Sequence, residues 1–376
     1  MGNSSTSKQA QRVNGLNTVP FEVLEALYRY EHFVILGHQK PDADCATSQL
    51  ALCLALQRLG KSVQMVSAGP FQRPEIQELA PQFDSEVNQQ KISGFGRGKV
   101  LAVILDCSTL ERTGFLEELQ DLSILVIDHH ASGEIDGDFQ YCAPSSPSTS
   151  ILVQNILLQL PLFLFQMGPI EYAHLVEENF HLLDQNISGI LFLGFATDTG
   201  FFRFLKPDNG GDMLRLASDL VDTGINLQDI YQQMTGGRLL ETRRILGLLL
   251  LRAGFLLNAR LCISYSLLED KKFWNSESND NDSFYSLSLA TQNCEAIILL
   301  DEAEKGCWNI GLRSLKQHDM GSVATKFGGG GHKNAAGCRL EVSGLKEALA
   351  LILKEISDFW DLDSRELAEI REYVDG

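Results

Sequence analysis

The stretch Phe33-Val34-Ile35-Leu36-Gly37-His38-Gln39-Lys40-Pro41-Asp42-Ala43-Asp44 joins four apolar residues to a glycine, then to a histidine and two carboxylates. An amphipathic run from Phe21 to Tyr30 precedes it and a helix-like run from Ala46 to Leu59 follows, so the unit reads as strand, loop and helix. Further apolar runs at Ser62 to Val66, Val100 to Leu105 and Ile124 to Ile127 are separated by helical stretches. Strands apolar along their whole length are buried on both faces, as in a parallel sheet covered by helices. The expected fold is therefore α/β, with a parallel sheet in its first domain. Ligands of such sheets gather at the carboxyl ends of the strands, where His38, Asp106 and Asp128 fall.

At 376 residues the chain suits two domains of ordinary size. The reading is a polar tail over 1–19, a catalytic domain over 20–205, a helical connector over 206–253, a second and smaller α/β domain over 254–358, and an acidic helical tail over 359–376. Met1-Gly2-Asn3-Ser4-Ser5-Thr6 matches the loose myristoylation pattern, but the segment is polar, rich in small residues and without the apolar core of a signal peptide. A disordered tail is the expectation. The polar insertion Asn275 to Ser283 reads as a mobile loop.

The formal net charge is -18, with 49 acidic against 31 basic residues, which argues against coating long nucleic acid. A short anion held by metals and a few cations stays open. Eight cysteines without a C-x-x-C pair indicate neither a zinc ribbon nor a disulfide framework, and a reducing cytoplasm is the default. Apolar runs fall short of the roughly 18 residues of a spanning helix, because Pro161 and Arg252 interrupt the two longest. No membrane association is expected.

Four clusters carry the chemistry: His38 with Asp42 and Asp44, then Asp106, then Asp128-His129-His130, then Asp198 in Thr197-Asp198-Thr199-Gly200. Oxygen and imidazole donors without thiolate motifs suit two hard divalent cations, and manganese fits this mixture better than zinc or calcium. Such a pair polarises a phosphoryl oxygen and stabilises an in-line displacement. It needs a carboxylate that reaches both ions, and Asp106, alone at its strand end, is the candidate. His38 and Asp42 are then expected on one ion, with Asp44, His129 and Asp198 on the other. Any one aspartate after a strand also serves as a helix cap, but carboxylates as close as Asp42 and Asp44 repel unless a cation neutralises them. Cys45 and Cys107, directly after Asp44 and Asp106, read as small buried residues behind the site.

The four clusters, in this order, resemble the motifs of the DHH phosphoesterase superfamily, named for the triplet at Asp128 to His130. The run Gly328-Gly329-Gly330-Gly331-His332-Lys333-Asn334-Ala335-Ala336-Gly337 resembles the signature of its DHH-associated C-terminal domain. The resemblance covers roughly residues 20 to 358. Among members, two-domain chains of the NrnA type, which are nano-RNases and phosphatases of 3'-phosphoadenosine 5'-phosphate (pAp), are the most similar.

The resemblance implies two Mn2+ ions and hydrolysis of very short RNA or DNA oligonucleotides to 5'-mononucleotides, often with removal of the 3'-phosphate of pAp. It implies His38, Asp42, Asp44, Asp106, His129 and Asp198 as metal ligands and His130 as the histidine facing the reacting phosphate. Asp128 would hold an imidazole in the tautomer that metal ligation requires. Arg203 is placed to meet a substrate phosphate. Gly329, Gly330 and Gly331 let backbone amides approach an anion, and with Arg313 and His332 they resemble a substrate-end clamp that favours short substrates.

Ala43, Thr47 and Ile151 stand where the family usually has Gly, Gly and Glu, and Lys40 replaces the more usual Asn; these departures bear on substrate preference. The alternatives are a cyclic or linear dinucleotide phosphodiesterase acting on c-di-AMP or pApA, a RecJ-like exonuclease, a family II pyrophosphatase and a non-catalytic nucleotide sensor. The apolar segment Leu157 to Ile170 fits either the pairing surface of a homodimer or a buried helix and loop.

Overall fold

The computed structural model describes residues 18–107, 109–130, 137–167, 181–275, 280–315, 318–360 and 362–375. Residues 1–17 of the tail expected over 1–19 therefore lie outside the described residues, as do residues 276–279 of the insertion expected at 275–283. Val19, at the end of that tail, is buried and donates its N–H to Gln159 Oε1 at 3.2 Å. The chain divides into two compact units, Met1–Gly237 and Arg238–Gly376. The division falls inside the helical stretch 206–253.

In the first unit α1 (Phe21–Arg29) leads into β1 (His32–Leu36), α2 (Ala43–Arg58) and β2 (Ser62–Val66). Then come α3 (Gln89–Phe95), β3 (Val100–Leu105), β4 (Ser123–Asp128) and β5 (Phe139–Cys142). The helices α4 (Thr149–Met167), α5 (Gln185–Asp198), α6 (Gly210–Val221) and α7 (Leu227–Thr235) complete it. The strands form one sheet of order β2-β1-β3-β4-β5, every pairing parallel. β1 and β3 are fully buried, as the apolar runs Phe33–Leu36 and Val100–Leu105 require. The strand order reverses between β1 and β3, and such a switch point opens a crevice at the carboxyl ends of the strands. His38 follows β1 and Asp106 follows β3, so both stand at that crevice.

Two sequence expectations need correction. Helix α2 begins at Ala43, not Ala46, because Asp42 caps it by accepting the N–H of Cys45 at 3.0 Å. Helix α4 runs straight through Pro161 to Met167. A helix-interior proline costs about 3 kcal/mol, but Leu160, Phe163 and Leu164 around it are buried, and each such burial returns about 1.5–3 kcal/mol. Uninterrupted, α4 has an 18-residue window, Thr149–Gln166, long and apolar enough to cross a membrane, yet 72% of it is buried within the protein. It is the core helix packed against α2 and α5.

The second unit contains α8 (Leu240–Leu251), β6 (Gly254–Leu256), β7 (Leu261–Ser266), α9 (Leu268–Trp274) and α10 (Asn281–Leu289). It continues with β8 (Ala296–Glu304), β9 (Cys307–Ser314), α11 (Met320–Thr325), β10 (Gly330–His332) and β11 (Ala335–Glu341), and ends with α12 (Leu345–Phe359) and α13 (Ser364–Asp375). Its sheet is mixed, of order β10-β11-β9-β8-β7-β6, with β7 and β8 parallel. The end of the expected loop is helical here: Asp280 accepts the N–H of Ser283 and starts α10.

Candidate metal centre

His38 Nδ1 lies 2.8 Å from the Gln39 carbonyl oxygen, which can only accept, so Nδ1 donates there and Nε2 is the nitrogen turned to the cluster. That nitrogen stands 3.9 Å from Asp42 Oδ2 and 3.7 Å from Asp106 Oδ2. The other oxygen of Asp106, Oδ1, lies 3.4 Å from His129 Nε2 and 3.6 Å from His130 Nδ1. His129 Nε2 in turn lies 3.4 Å from Asp198 Oδ2. One ligand atom each from Asp44, His129 and Asp198 falls within 4.8 Å of the others, and the same holds for His38, Cys45 and Asp106. The six residues expected as ligands are thus brought together, with Asp106 turning one oxygen toward each half.

The spacings of 3.4 to 3.9 Å are of the order expected for donors sharing a divalent ion, since two ligands at about 2.1 Å and at right angles stand about 3 Å apart and wider angles set them further apart. The electrostatics point the same way. Burial, then the charges of Asp106 and Asp42, push Asp198 up to about 7 against the pull of His129. Burial, then Asp106 and Asp198, hold Asp44 well above the usual carboxylate range. Burial would lower His129, but its hydrogen bond to Asp106 and the charges of Asp44, Asp106 and Asp198 hold it up at about 9. Asp198 also sits at the negative end of the α5 dipole. Carboxylates crowded in this way lack positive charge, which a cation supplies.

Asp128 holds an imidazole, that of His130: its Oδ1 accepts from the backbone N–H of His130 at 3.0 Å and faces His130 Nδ1 at 2.8 Å. The hydrogen bond to Asp128 raises His130, outweighing burial. With Nδ1 spent on Asp128, Nε2 is the nitrogen available to a substrate, and the side chain is 43% exposed.

The backbone is forced into the left-handed region at Lys40 (φ 53°), Asp106 (φ 55°), Phe201 (φ 55°) and Phe202 (φ 74°), all in loops beside ligands. Non-glycine residues pay for that conformation and keep it only where surroundings hold it. Arg203, just beyond, lies 4.8 Å over the Phe204 ring.

Two participants were not assigned a role from sequence. Thr149 and Ser150 open α4, and their N–H groups donate to Asp44 Oδ2 at 2.6 Å and Oδ1 at 2.9 Å. The Thr149 hydroxyl donates to Asp106 Oδ1 at 3.1 Å. The signal was the Ser148-Thr149-Ser150 run, legible as a helix start but silent about which carboxylate it would meet.

In the second unit the strand register places His332, Ala335 and Arg313 in one row across β10, β11 and β9, hence on one face of the sheet. Arg313 lies 4.4 Å over the ring of the buried Tyr285 and donates to the Ala336 carbonyl at 3.4 Å. The glycines answer first to packing. Gly329 donates its N–H to the Ala324 carbonyl at 3.0 Å, and a Cβ at Gly329 or Gly331 would collide with the backbone of β11. A cavity of about 520 Å³ nearby, lined by residues including Asp319, Lys326, Lys333 and Phe359, contains none of the clustered ligands.

A parallel sheet that carries an acidic and imidazole cluster at its switch point is a candidate site for divalent metals. Residues 32–194 match the DHH family N-terminal domain and residues 276–359 the DHHA1 domain, and the chain belongs to the DHH family of phosphoesterases, whose members use divalent metals. It is 26% identical over 330 residues to the bifunctional oligoribonuclease and PAP phosphatase NrnA of Thermus thermophilus, covering 86% of this chain and 89% of that one. The protein of the same name from Bacillus subtilis is 20% identical over 319 residues, covering 85% of this chain and 92% of that one. An exopolyphosphatase-related protein from Bacteroides fragilis shares the fold with a TM-score of 0.71 at 21% identity, over 93% of this chain and 96% of that one.

Proposed function

We propose that this chain is a manganese-dependent phosphoesterase that hydrolyses oligonucleotides of a few residues to 5'-mononucleotides and converts pAp to AMP. The observation that carries the reading is Asp106, whose two oxygens face His38 on one side and His129 on the other. His38, Asp42 and Asp106 would hold one ion; Asp44, Asp106, His129 and Asp198 would hold the second. When bound, such a pair polarises a phosphoryl oxygen and stabilises the attacking and leaving oxygens of an in-line displacement. His130, whose pKa the hydrogen bond to Asp128 raises, would offer a proton or hydrogen bond to the substrate phosphate from Nε2. Arg203, which follows Asp198 by five residues, would be a further phosphate contact. Arg313 and His332, with the Gly329 to Gly331 turn, suit a terminal phosphate or base.

The relatives named for oligoribonuclease and PAP phosphatase activity align with most of this chain, which supports the substrate class. The net charge of -18 disfavours long nucleic acid, and the burial of α4 suits a cytoplasmic protein. The test offers the manganese-loaded chain a 5'-labelled RNA dinucleotide, long single-stranded RNA, pAp, c-di-AMP and pyrophosphate in parallel. Rapid cleavage of the dinucleotide and of pAp, with long RNA far slower, is expected. Turnover of pyrophosphate alone, of long RNA as fast as the dinucleotide, or of nothing, contradicts the proposal.

A further inference from the structure

Among the described residues, Asp44 is the carboxylate of the cluster whose two oxygens are both engaged by another element. Thr149 N–H donates to Oδ2 at 2.6 Å, Ser150 N–H donates to Oδ1 at 2.9 Å, and the Ser150 hydroxyl donates to the same Oδ1. These amides belong to the first turn of α4 and have no carbonyl within their own helix. The next amide, Ile151 N–H, is taken by Ser148 Oγ at 3.3 Å. Asp44 thus completes the cap of the core helix from a distant part of the chain, and the helix dipole favours its negative charge.

Counting lone pairs shows what remains for a metal. Each carboxylate oxygen accepts about two donors. Oδ1, with two donors from Ser150, is full; Oδ2, with the single donor from Thr149, keeps one lone pair. We infer that Ser150 and Thr149 are positioning residues for the metal centre, which make Asp44 a one-oxygen ligand through Oδ2 and fix the rotamer of the neighbouring Asp106. Thr149 serves both carboxylates, since its hydroxyl donates to Asp106 Oδ1 at 3.1 Å while its amide holds Asp44. Ser150 is itself held: its hydroxyl lies 3.1 Å from Ser48 Oγ, and a Cβ at Gly194 on α5 would collide with it. The arrangement lets the first unit assemble Asp44 and Asp106 at set positions before any ion arrives, so that the ion does not have to order them.

This inference rests on the metal reading above, and its experiment separates the two. Metal-free full-length protein is titrated with Mn2+ and the free ion is followed by electron paramagnetic resonance, for wild type, Ser150→Ala, Thr149→Val and Thr149→Ser. Partners that orient ligands typically set affinity by about 10- to 100-fold. Ser150→Ala and Thr149→Val are therefore expected to weaken Mn2+ binding by that factor, while Thr149→Ser, which keeps both the amide and the hydroxyl, stays close to wild type. Thermal melts of the metal-free variants report whether the fold persists, and Thr149→Val, whose β-branched side chain fills the same volume, covers the case in which Ser150→Ala does not fold. Wild-type binding with both Ser150→Ala and Thr149→Val unchanged overturns the positioning role alone. Absence of Mn2+ binding by wild type at millimolar metal overturns the metal reading and this inference with it.

Discussion

Gly194 and Thr47 meet where the helix carrying Asp198 crosses the helix carrying Asp44, and a Cβ at 194 would collide with the Thr47 hydroxyl and with that of Ser150. Thr47 already donates to the Ala43 carbonyl at 2.6 Å and is fully buried, so it has nowhere to retreat. The extra bulk that this chain carries at Thr47 is accommodated by the missing side chain at Gly194. The close crossing keeps the helices of Asp44 and Asp198 at one distance.

Gly194→Ala is accordingly expected to destabilise the first unit by about 1–3 kcal/mol, the usual range for overpacking a filled core. It should also weaken metal binding, because Asp44 Oδ1 lies 3.1 Å from the added carbon. Chemical denaturation of the metal-free protein reads the first effect and manganese titration the second. A variant as stable as wild type would mean that the helices have slack.

Metal binding should release protons. His129, held at about 9, and Asp198, pushed up to about 7, share protons in the metal-free cluster at neutral pH. A bound ion requires both groups deprotonated. The sign follows: acidification protonates the ligands and weakens binding, so apparent Mn2+ affinity rises from about pH 6 to about pH 8. Calorimetric titration in two buffers of different ionisation enthalpy measures the released protons, and identical heats in both would contradict the assignment.

Tyr285 supports Arg313 from below, with 4.4 Å between guanidinium carbon and ring centroid. A cation over an aromatic ring contributes about 0.5–2 kcal/mol. If Arg313 meets substrate, Tyr285→Leu should raise KM for pAp by about 2- to 30-fold with little change in kcat, and Tyr285→Phe, which keeps the ring, should not. An unchanged KM in Tyr285→Leu, alongside a large rise in Arg313→Ala, would remove Tyr285 from substrate recognition.

Sequence reasoning reached the parallel sheet because β3, and β1 from Phe33 onward, are apolar at every position, a pattern that burial on both faces explains. It pointed to the crevice because His38, Asp106 and Asp128 each come at or just beyond the end of such a strand, and the structure brings His38, Asp106 and His129 together there. What it missed has a common physical origin. The helix through Pro161 survives on the burial of Leu160, Phe163 and Leu164, which are tertiary contacts. Which imidazole Asp128 holds, that of His130, depends on the path of the chain just beyond β4. The union of Asp44 with Thr149 and Ser150 spans about a hundred residues, and no local pattern announces it.

The most direct test of the account is hydrolysis of a 5'-labelled RNA dinucleotide by protein stripped of metal and then restored with Mn2+, for wild type and Asp106→Ala side by side. Wild type should be inactive when stripped and recover with manganese, while Asp106→Ala, lacking the carboxylate that faces both halves of the cluster, should stay slower by about 1,000-fold or more at saturating metal, equivalent to about 4 kcal/mol of barrier. Stripped wild type that still cleaves the dinucleotide, or Asp106→Ala restored to wild-type rate, would contradict it.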